Sequence, residues 1–234
     1  MTLFVLFAVS VASCSGNDGA APSGPSQRAT DDQGGQSPDE PASAGNGVPG
    51  NDDLERMLPA VTELPAGWKP SGSDSVGWRD VGDGQIEAHP LECGALPQEA
   101  AERHSFGNMQ QLVAGNESQG EGVSLTAYVP TGPDENSVAS SSDEAVDMIE
   151  ANLTLSREKL YKCFAPKEAG VGDTSIVFKT EQFMHILMRV GPVQVVVDAP
   201  ADGRPTAEEW ARVMEQRVRA VLDGQAPTSR VALP

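Results

Sequence analysis

The sequence predicts an α+β domain, a largely antiparallel sheet with helices packed on one face, preceded by a disordered tether. Three observations carry that expectation. Val123, Leu125, Ala127 and Val129 alternate with Ser124, Thr126 and Tyr128, the period of two expected of a strand with one buried face. Trp210, Val213, Met214, Val218, Val221 and Leu222 recur at helical spacing behind a Thr206/Glu209 capping pair. The stretch 15–51 has no aromatic residue, no Leu, no Ile and only Val48 among the valines. It cannot bury enough apolar area to offset the entropy of ordering its backbone.

The chain opens with the apolar run Met1 to Cys14. Leu3 to Ala12 carry no charge and suit the core of a secretory leader, while falling short of the roughly 18 to 20 residues needed to cross a bilayer. The run closes on Val11-Ala12-Ser13-Cys14. A thiol directly behind small residues is what lipoprotein processing needs: lipidation of the sulfur, cleavage before the cysteine, and a diacylglycerol anchor in the membrane. Residues 1–13 are therefore expected to be a lipoprotein signal peptide, with Cys14 lipidated and 14–51 a linker on the extracytoplasmic face. No Lys or Arg precedes the apolar run, so the basic residues of such a leader are expected upstream of Met1. As a flexible coil the tract spans roughly 30 to 37 Å, enough to hold a domain clear of lipid headgroups.

Of the 34 acidic and 16 basic residues, the tract 15–51 holds five and one, leaving the rest of the chain at 29 against 15. That field repels nucleic acid and anionic lipid and argues against DNA or RNA as a partner. With Cys14 assigned to lipid, two thiols remain, Cys93 and Cys163, in a compartment where disulfides persist. They are expected to pair, closing a loop of about 70 residues for roughly 4 kcal/mol in a chain-entropy treatment.

The folded domain, 52–224, is expected to open with a short helix in which Asp52 and Glu55 stand at capping spacing and Pro59 enforces the stop. Leu64-Pro65-Ala66-Gly67-Trp68 reads as a turn anchored by its indole. Lys69 to Leu96 is rich in Gly and reads as loops with one or two short strands. A short helix over Pro97 to Arg103 and a strand over Ser105 to Ala114 follow, the latter paired as a hairpin with Gly122 to Pro130. Ser141 and Glu144 cap a long helix whose stripe is Val146, Ile149, Leu153 and Leu160. Three strands come next, over Thr174 to Thr180, Gln182 to Val190 and Val193 to Asp198, the last two turning at Gly191-Pro192. The second is apolar on both faces and should be central. The helix after Thr206 ends at Asp223-Gly224, and 225–234 is expected to be a flexible tail.

These landmarks carry a resemblance. Leu64-Pro65-Ala66-Gly67-Trp68, a cysteine about 25 residues on, a second cysteine after a long helix, Arg189-Val190-Gly191 ahead of Val193 to Val197, and a closing amphipathic helix together resemble actinobacterial lipoproteins. Those lipoproteins are related to the extracellular sensor domain of PknH-type serine/threonine kinases. The likeness covers Leu54 to Leu222; members often carry a second cysteine pair, which is absent here. It implies a ligand-sensing or partner-regulating envelope domain without established enzymatic residues. Only the disulfide is carried over, onto Cys93 and Cys163.

The motifs for catalysis and metal are weak. Ser156-Arg157-Glu158-Lys159 matches the S-x-x-K of penicillin-recognising enzymes, yet there is no S-D-N and Lys179-Thr180-Glu181 lacks the glycine of K-T-G. Ser118 among the glycines of 115–120 does not make the G-x-S-x-G elbow. His89, His104 and His185 have no neighbours at zinc-ligand spacing, and Arg79 and Val81 spoil a calcium loop over Asp80 to Glu87. No catalytic residue, metal or cofactor is expected and no ligand-binding residue is assigned. The expected role is a non-enzymatic sensor or regulatory accessory of envelope stress signalling, lipid-anchored at the cell membrane. Its partner would be a membrane sensor protein or a cell-wall component. The alternative is a carrier lipoprotein at the cell surface that binds a lipid or an apolar or cationic small molecule, with a pocket lined by Phe183, Leu187 or the two tryptophans.

Overall fold

The computed structural model describes residues 47–70, 78–80, 106–116, 120–130 and 138–231, all within one unit of the chain, Pro41–Pro234. In order they form α1 (Asn51–Met57), a 3-10 turn (Val61–Glu63), β1 (Lys69–Pro70), β2 (Trp78–Asp80), β3 (Phe106–Asn116) and β4 (Glu121–Pro130). Then come α2 (Ser142–Leu155) with a π turn (Ser156–Leu160) and a 3-10 turn (Lys162–Phe164), β5 (Thr174–Lys179), β6 (Phe183–Val190), β7 (Val193–Pro200) and α3 (Ala207–Leu222). The seven strands make one sheet in the order β1-β3-β4-β7-β6-β5, with β2 also on β3 and every pairing antiparallel. The α+β class and the antiparallel sheet are those the periodicities predict.

The strands alternate as their sequences require. On the first face lie Leu112 and Ala114 of β3, Val123, Leu125, Ala127 and Val129 of β4, Ile186, Met188 and Val190 of β6, and Val193, Val195, Val197 and Ala199 of β7. All are buried, and Leu54 and Met57 of α1 and Trp210, Met214, Val218 and Val221 of α3 pack over them. Side chains of this size contribute roughly 1.5 to 3 kcal/mol each when fully buried, so this layer dominates the stability. α3 has both halves of its capping box, Thr206 Oγ1 accepting from Glu209 N and Glu209 Oε2 accepting from Thr206 N. The hairpin of β3 and β4 is drawn so tight that a Cβ at Gly115 would stand 2.6 Å from the Glu121 carbonyl oxygen, which only glycine avoids.

The helices divide between the faces, where a one-sided arrangement was expected. Ile149 and Leu153 of α2 pack with Ile176, Phe178 and Leu187, whose strand positions alternate with those of the first face. A buried stripe shows that a helix covers a sheet but not which side it covers, and β6, apolar on both faces, accepts one helix on each.

Two boundaries also differ from expectation. α1 starts at Asn51 behind Gly50, with no side-chain cap, so Asp52 sits inside the first turn and complements the helix dipole instead. The tail after α3, expected to fray, is tied as far as Val231: Ser229 O accepts from Arg217 Nη1, Arg230 lies 3.6 Å from Glu63, and Val231 packs on the core. Arg217 is itself buried on α3 and donates to the carbonyls of Arg56, Met57 and Leu58, satisfying the end of α1, with Glu63 at 3.0 Å as its counter-charge. The helix expected over Pro97 to Arg103 lies outside the described residues. No helix among the described residues is long and apolar enough to cross a membrane.

Candidate functional site

The second face of the sheet is chemically unlike the first. The two-residue turn Gly191-Pro192, with Gly191 at φ +58°, pairs Val190 with Val193 and so sets His185 opposite Asp198. The two side chains share the second face, with His185 Nδ1 and Asp198 Oδ1 2.7 Å apart. Across the other strand boundary His185 stands beside Phe178, ring on ring at 4.8 Å and 14°. Tyr161, delivered by the π turn that ends α2, stacks on Phe178 at 4.2 Å, and Phe164 adds a second ring at 5.7 Å. Phe183 closes the group at 6.2 Å from His185. The aromatic surface therefore ends on a carboxylate that is one-third exposed.

Hydroxyl and amide groups extend the strip across the sheet. Ser124 of β4 is the register partner of Asp198, and Gln111 Nε2 of β3 donates to Ser124 Oγ at 3.1 Å and Thr126 Oγ1 at 3.4 Å. Burial first, and then the negative charge of Asp198, push the Tyr161 phenol up to about 12, which keeps it a protonated hydrogen-bond donor at any physiological pH. Burial, with Tyr161 adding to it, raises Tyr128 well above the ordinary range. Two atoms under α2 have no hydrogen-bond partner: Oε1 of Gln194 and Oγ of Ser156, in residues each 1% exposed.

His185 Nε2 lies 3.3 Å from Thr180 Oγ1, so carboxylate, imidazole and hydroxyl stand in the connectivity of a nucleophile relay. The hydroxyl, however, is engaged by the turn, accepting from Phe183 N at 3.1 Å and lying 3.2 Å from Phe183 O. It serves as a turn cap and holds the imidazole in place. What the strip offers chemically is a negative charge, flat aromatic faces and a row of neutral acceptors.

A second constellation fixes α2 to the sheet. Arg189 Nε donates to Glu150 Oε1 at 2.6 Å and Arg189 Nη1 to Asp173 Oδ2 at 2.9 Å, while Asp173 Oδ1 takes Arg219 of α3 at 2.9 Å. Burial raises both carboxyls, but the hydrogen bonds from Thr174 and Arg189 to Glu150, and from Gly191 N and Arg219 to Asp173, outweigh it. Both end below the usual carboxylate range.

The residues singled out by sequence fall as follows. Cys14, Cys93, His89, His104 and Ser118 lie outside the described residues. Cys163 is on the exposed turn Lys162–Phe164 and is disulfide-bonded; its expected partner Cys93 is not among the described residues. Ser156 is buried while Lys159 is exposed, so the S-x-x-K pair faces two different environments. Trp68 and Trp210 pack against each other in the core at 5.5 Å, and both are buried, so neither lines an open pocket. Among the described residues no group of three or more His, Cys, Asp or Glu could hold a metal ion. The His185–Asp198 pair was missed by sequence, although the Gly191-Pro192 turn was recognised: counting outward from it gives the pairing. Compared with known proteins, the chain matches no family model, no curated protein and no solved structure.

Proposed function

We propose that this chain is a membrane-anchored extracytoplasmic lipoprotein acting as a non-enzymatic sensor or regulatory accessory in cell-envelope stress signalling. The observation that carries the reading is Cys14, placed directly behind an apolar leader and ahead of a Gly/Ser/Pro-rich tract that ends at the folded domain. Cys14 carries the diacylglycerol, the linker supplies reach, and a disulfide between Cys93 and Cys163 staples the domain in an oxidising compartment. The Thr180 hydroxyl, engaged by its own turn, supports a binding role over a nucleophilic one.

The test is crosslinking at the native membrane with mass-spectrometric identification of partners, run with the wild-type chain and with Cys14→Ala. The Cys14→Ala protein leaves the membrane fraction, and a captured membrane or wall partner vanishes with it. Retention of Cys14→Ala in the membrane fraction, or an identical partner set in both, refutes the reading. A second reading, a carrier of a small molecule, is favoured by the partly exposed Asp198 beside stacked rings. Native mass spectrometry of the purified chain decides it through a co-purifying mass.

A further inference from the structure

The turn between β5 and β6 and the histidine behind it share a hydroxyl that cannot serve both. Thr180 N donates to Phe183 O at 2.9 Å, and Phe183 N donates to Thr180 Oγ1 at 3.1 Å. The hydroxyl has a single proton and two acceptors within reach, Phe183 O at 3.2 Å and His185 Nε2 at 3.3 Å. Which of them it takes is decided on the other side of the imidazole. An ionised carboxylate only accepts, so Asp198 Oδ1, 2.7 Å from Nδ1, fixes a proton there. In the neutral ring Nε2 is then a bare acceptor and draws the Thr180 hydroxyl proton to itself. In the imidazolium Nε2 carries a proton and donates to Oγ1, and the hydroxyl has Phe183 O left to bind. Oγ1 then accepts from Phe183 N and from Nε2 with its two lone pairs and donates once, so every group is satisfied. The charged arrangement holds one hydrogen bond more across the turn than the neutral one.

The charged groups around the ring are few. On β5, Phe178 stacks on the imidazole at 4.8 Å, and Lys179 alternates to the other face, 3.9 Å from Asp202. The π turn supplies Tyr161, whose phenol, pushed up to about 12, stays neutral, and Arg157, which is held at Ser175 O. Lys162 on the 3-10 turn and Glu181 between Thr180 and Phe183 are exposed. β7 brings Asp198 alone, and Arg189, further along β6, is engaged by Glu150 and Asp173. Among these residue types only imidazole ordinarily titrates between about pH 5 and 8. The His185 side chain is 18% exposed, so protons reach it.

We infer that His185 is a proton-operated latch on the turn 180–183: protonation reverses its hydrogen bond with Thr180 and turns the hydroxyl onto Phe183 O. The surface that the latch stiffens is the turn itself, with Glu181 and Gln182 exposed and Phe183 partly exposed beside the imidazole at 6.2 Å. The inference rests on the sensing role proposed above and deepens it, naming acidity as a stimulus that the folded domain itself registers. Its test is independent of anchorage.

Ring 1H–15N spectra of the full chain, with the His185 signals identified by their loss in His185→Phe, locate the proton. At about pH 8.5 the neutral ring carries it on Nδ1, and at about pH 5 both nitrogens are protonated. Amide exchange, corrected for the intrinsic rate at each pH, shows protection of Phe183 rising about two- to ten-fold on acidification, the worth of one hydrogen bond. That rise is lost in His185→Phe, which keeps a ring against Phe178, and in Thr180→Val, where the imidazole still titrates but has no hydroxyl to turn. Thermal melts of both variants report that they are folded. A neutral ring protonated on Nε2 overturns the inference, and so does Phe183 protection that is flat in the wild type or rises equally in either variant. A working latch in a chain whose partner set is unchanged by Cys14→Ala would refute the sensor reading and leave the latch standing. Loss of partners with Cys14→Ala beside a flat Phe183 would do the reverse.

Discussion

The two faces of this sheet are built from the same strands, one residue out of phase, and they do different work. On the first, β-branched and aliphatic residues meet α1 and α3 in a layer whose lining is apolar throughout β4, β6 and β7. On the second, Ile176, Phe178 and Leu187 support α2 and Met109, Tyr128 and Val196 form a smaller apolar cluster, beside His185, Asp198, Ser124, Thr126, Gln111 and Gln194. The first helix pair is held mainly by dispersion and the hydrophobic effect, with Arg217 and Glu63 joining α3 to the end of α1. α2 is tied to β6 by the Glu150–Arg189 pair, while Asp173 joins Arg189 to Arg219 of α3. The contrast is between a purely apolar layer and one in which an apolar patch adjoins a polar one.

The largest effect expected of that contrast is on the first face. Trp210 is 1% exposed and packs on Trp68, so Trp210→Ala removes a large fully buried side chain and leaves a cavity. Destabilisation of about 3 to 5 kcal/mol is expected, read as a lowered urea midpoint with little change in slope. A loss under about 1 kcal/mol would mean the first face is not the structural core.

A smaller effect is read in acid. Glu150 and Asp173 have folded-state affinities for protons below their unfolded values, so the native chain binds fewer protons than the unfolded one. Their contribution is therefore complete above the ordinary carboxylate range and is lost as pH falls through the depressed folded values. Both carboxylates are partly solvated, and solvent screening keeps the effect modest. Amide hydrogen exchange should show α2, which carries Glu150, losing protection on acidification, and Arg189→Met should remove that acid sensitivity. An equal loss in Arg189→Met would show that the charges do not govern α2.

Much of this was legible in the sequence. Thr206 and Glu209 announced α3 to the residue, and the alternation of Val123 to Val129 announced β4, because capping and pleating are local rules. At α2 the cap formed half as expected: Ser141 accepts from Glu144 N, but the Glu144 carboxylate takes Ser140 instead. The placement of α2 and the Arg189 network were not legible, since both depend on which face a crossing helix returns to. The Asp198–Val196–Gln194 strip was hidden differently. Its residues read as an ordinary edge between polar and apolar positions until register set them beside His185 and under a helix.

The smallest expected effect discriminates most sharply between a dry second layer and one that holds a guest. Ser141 and Ser156 flank the same helix, one as its N-cap and the other buried at the start of the π turn with an unpartnered hydroxyl. Ser141→Ala should cost about 1 kcal/mol, because the Glu144 N–H loses its acceptor. Ser156→Ala removes a group that was desolvated without compensation, so stability should stay level or rise by up to about 1 kcal/mol. Paired urea titrations measure both against one reference. If Ser156→Ala is instead the more damaging of the two, its hydroxyl has a partner in solution. The layer under α2 then holds water or a bound molecule that supplies it.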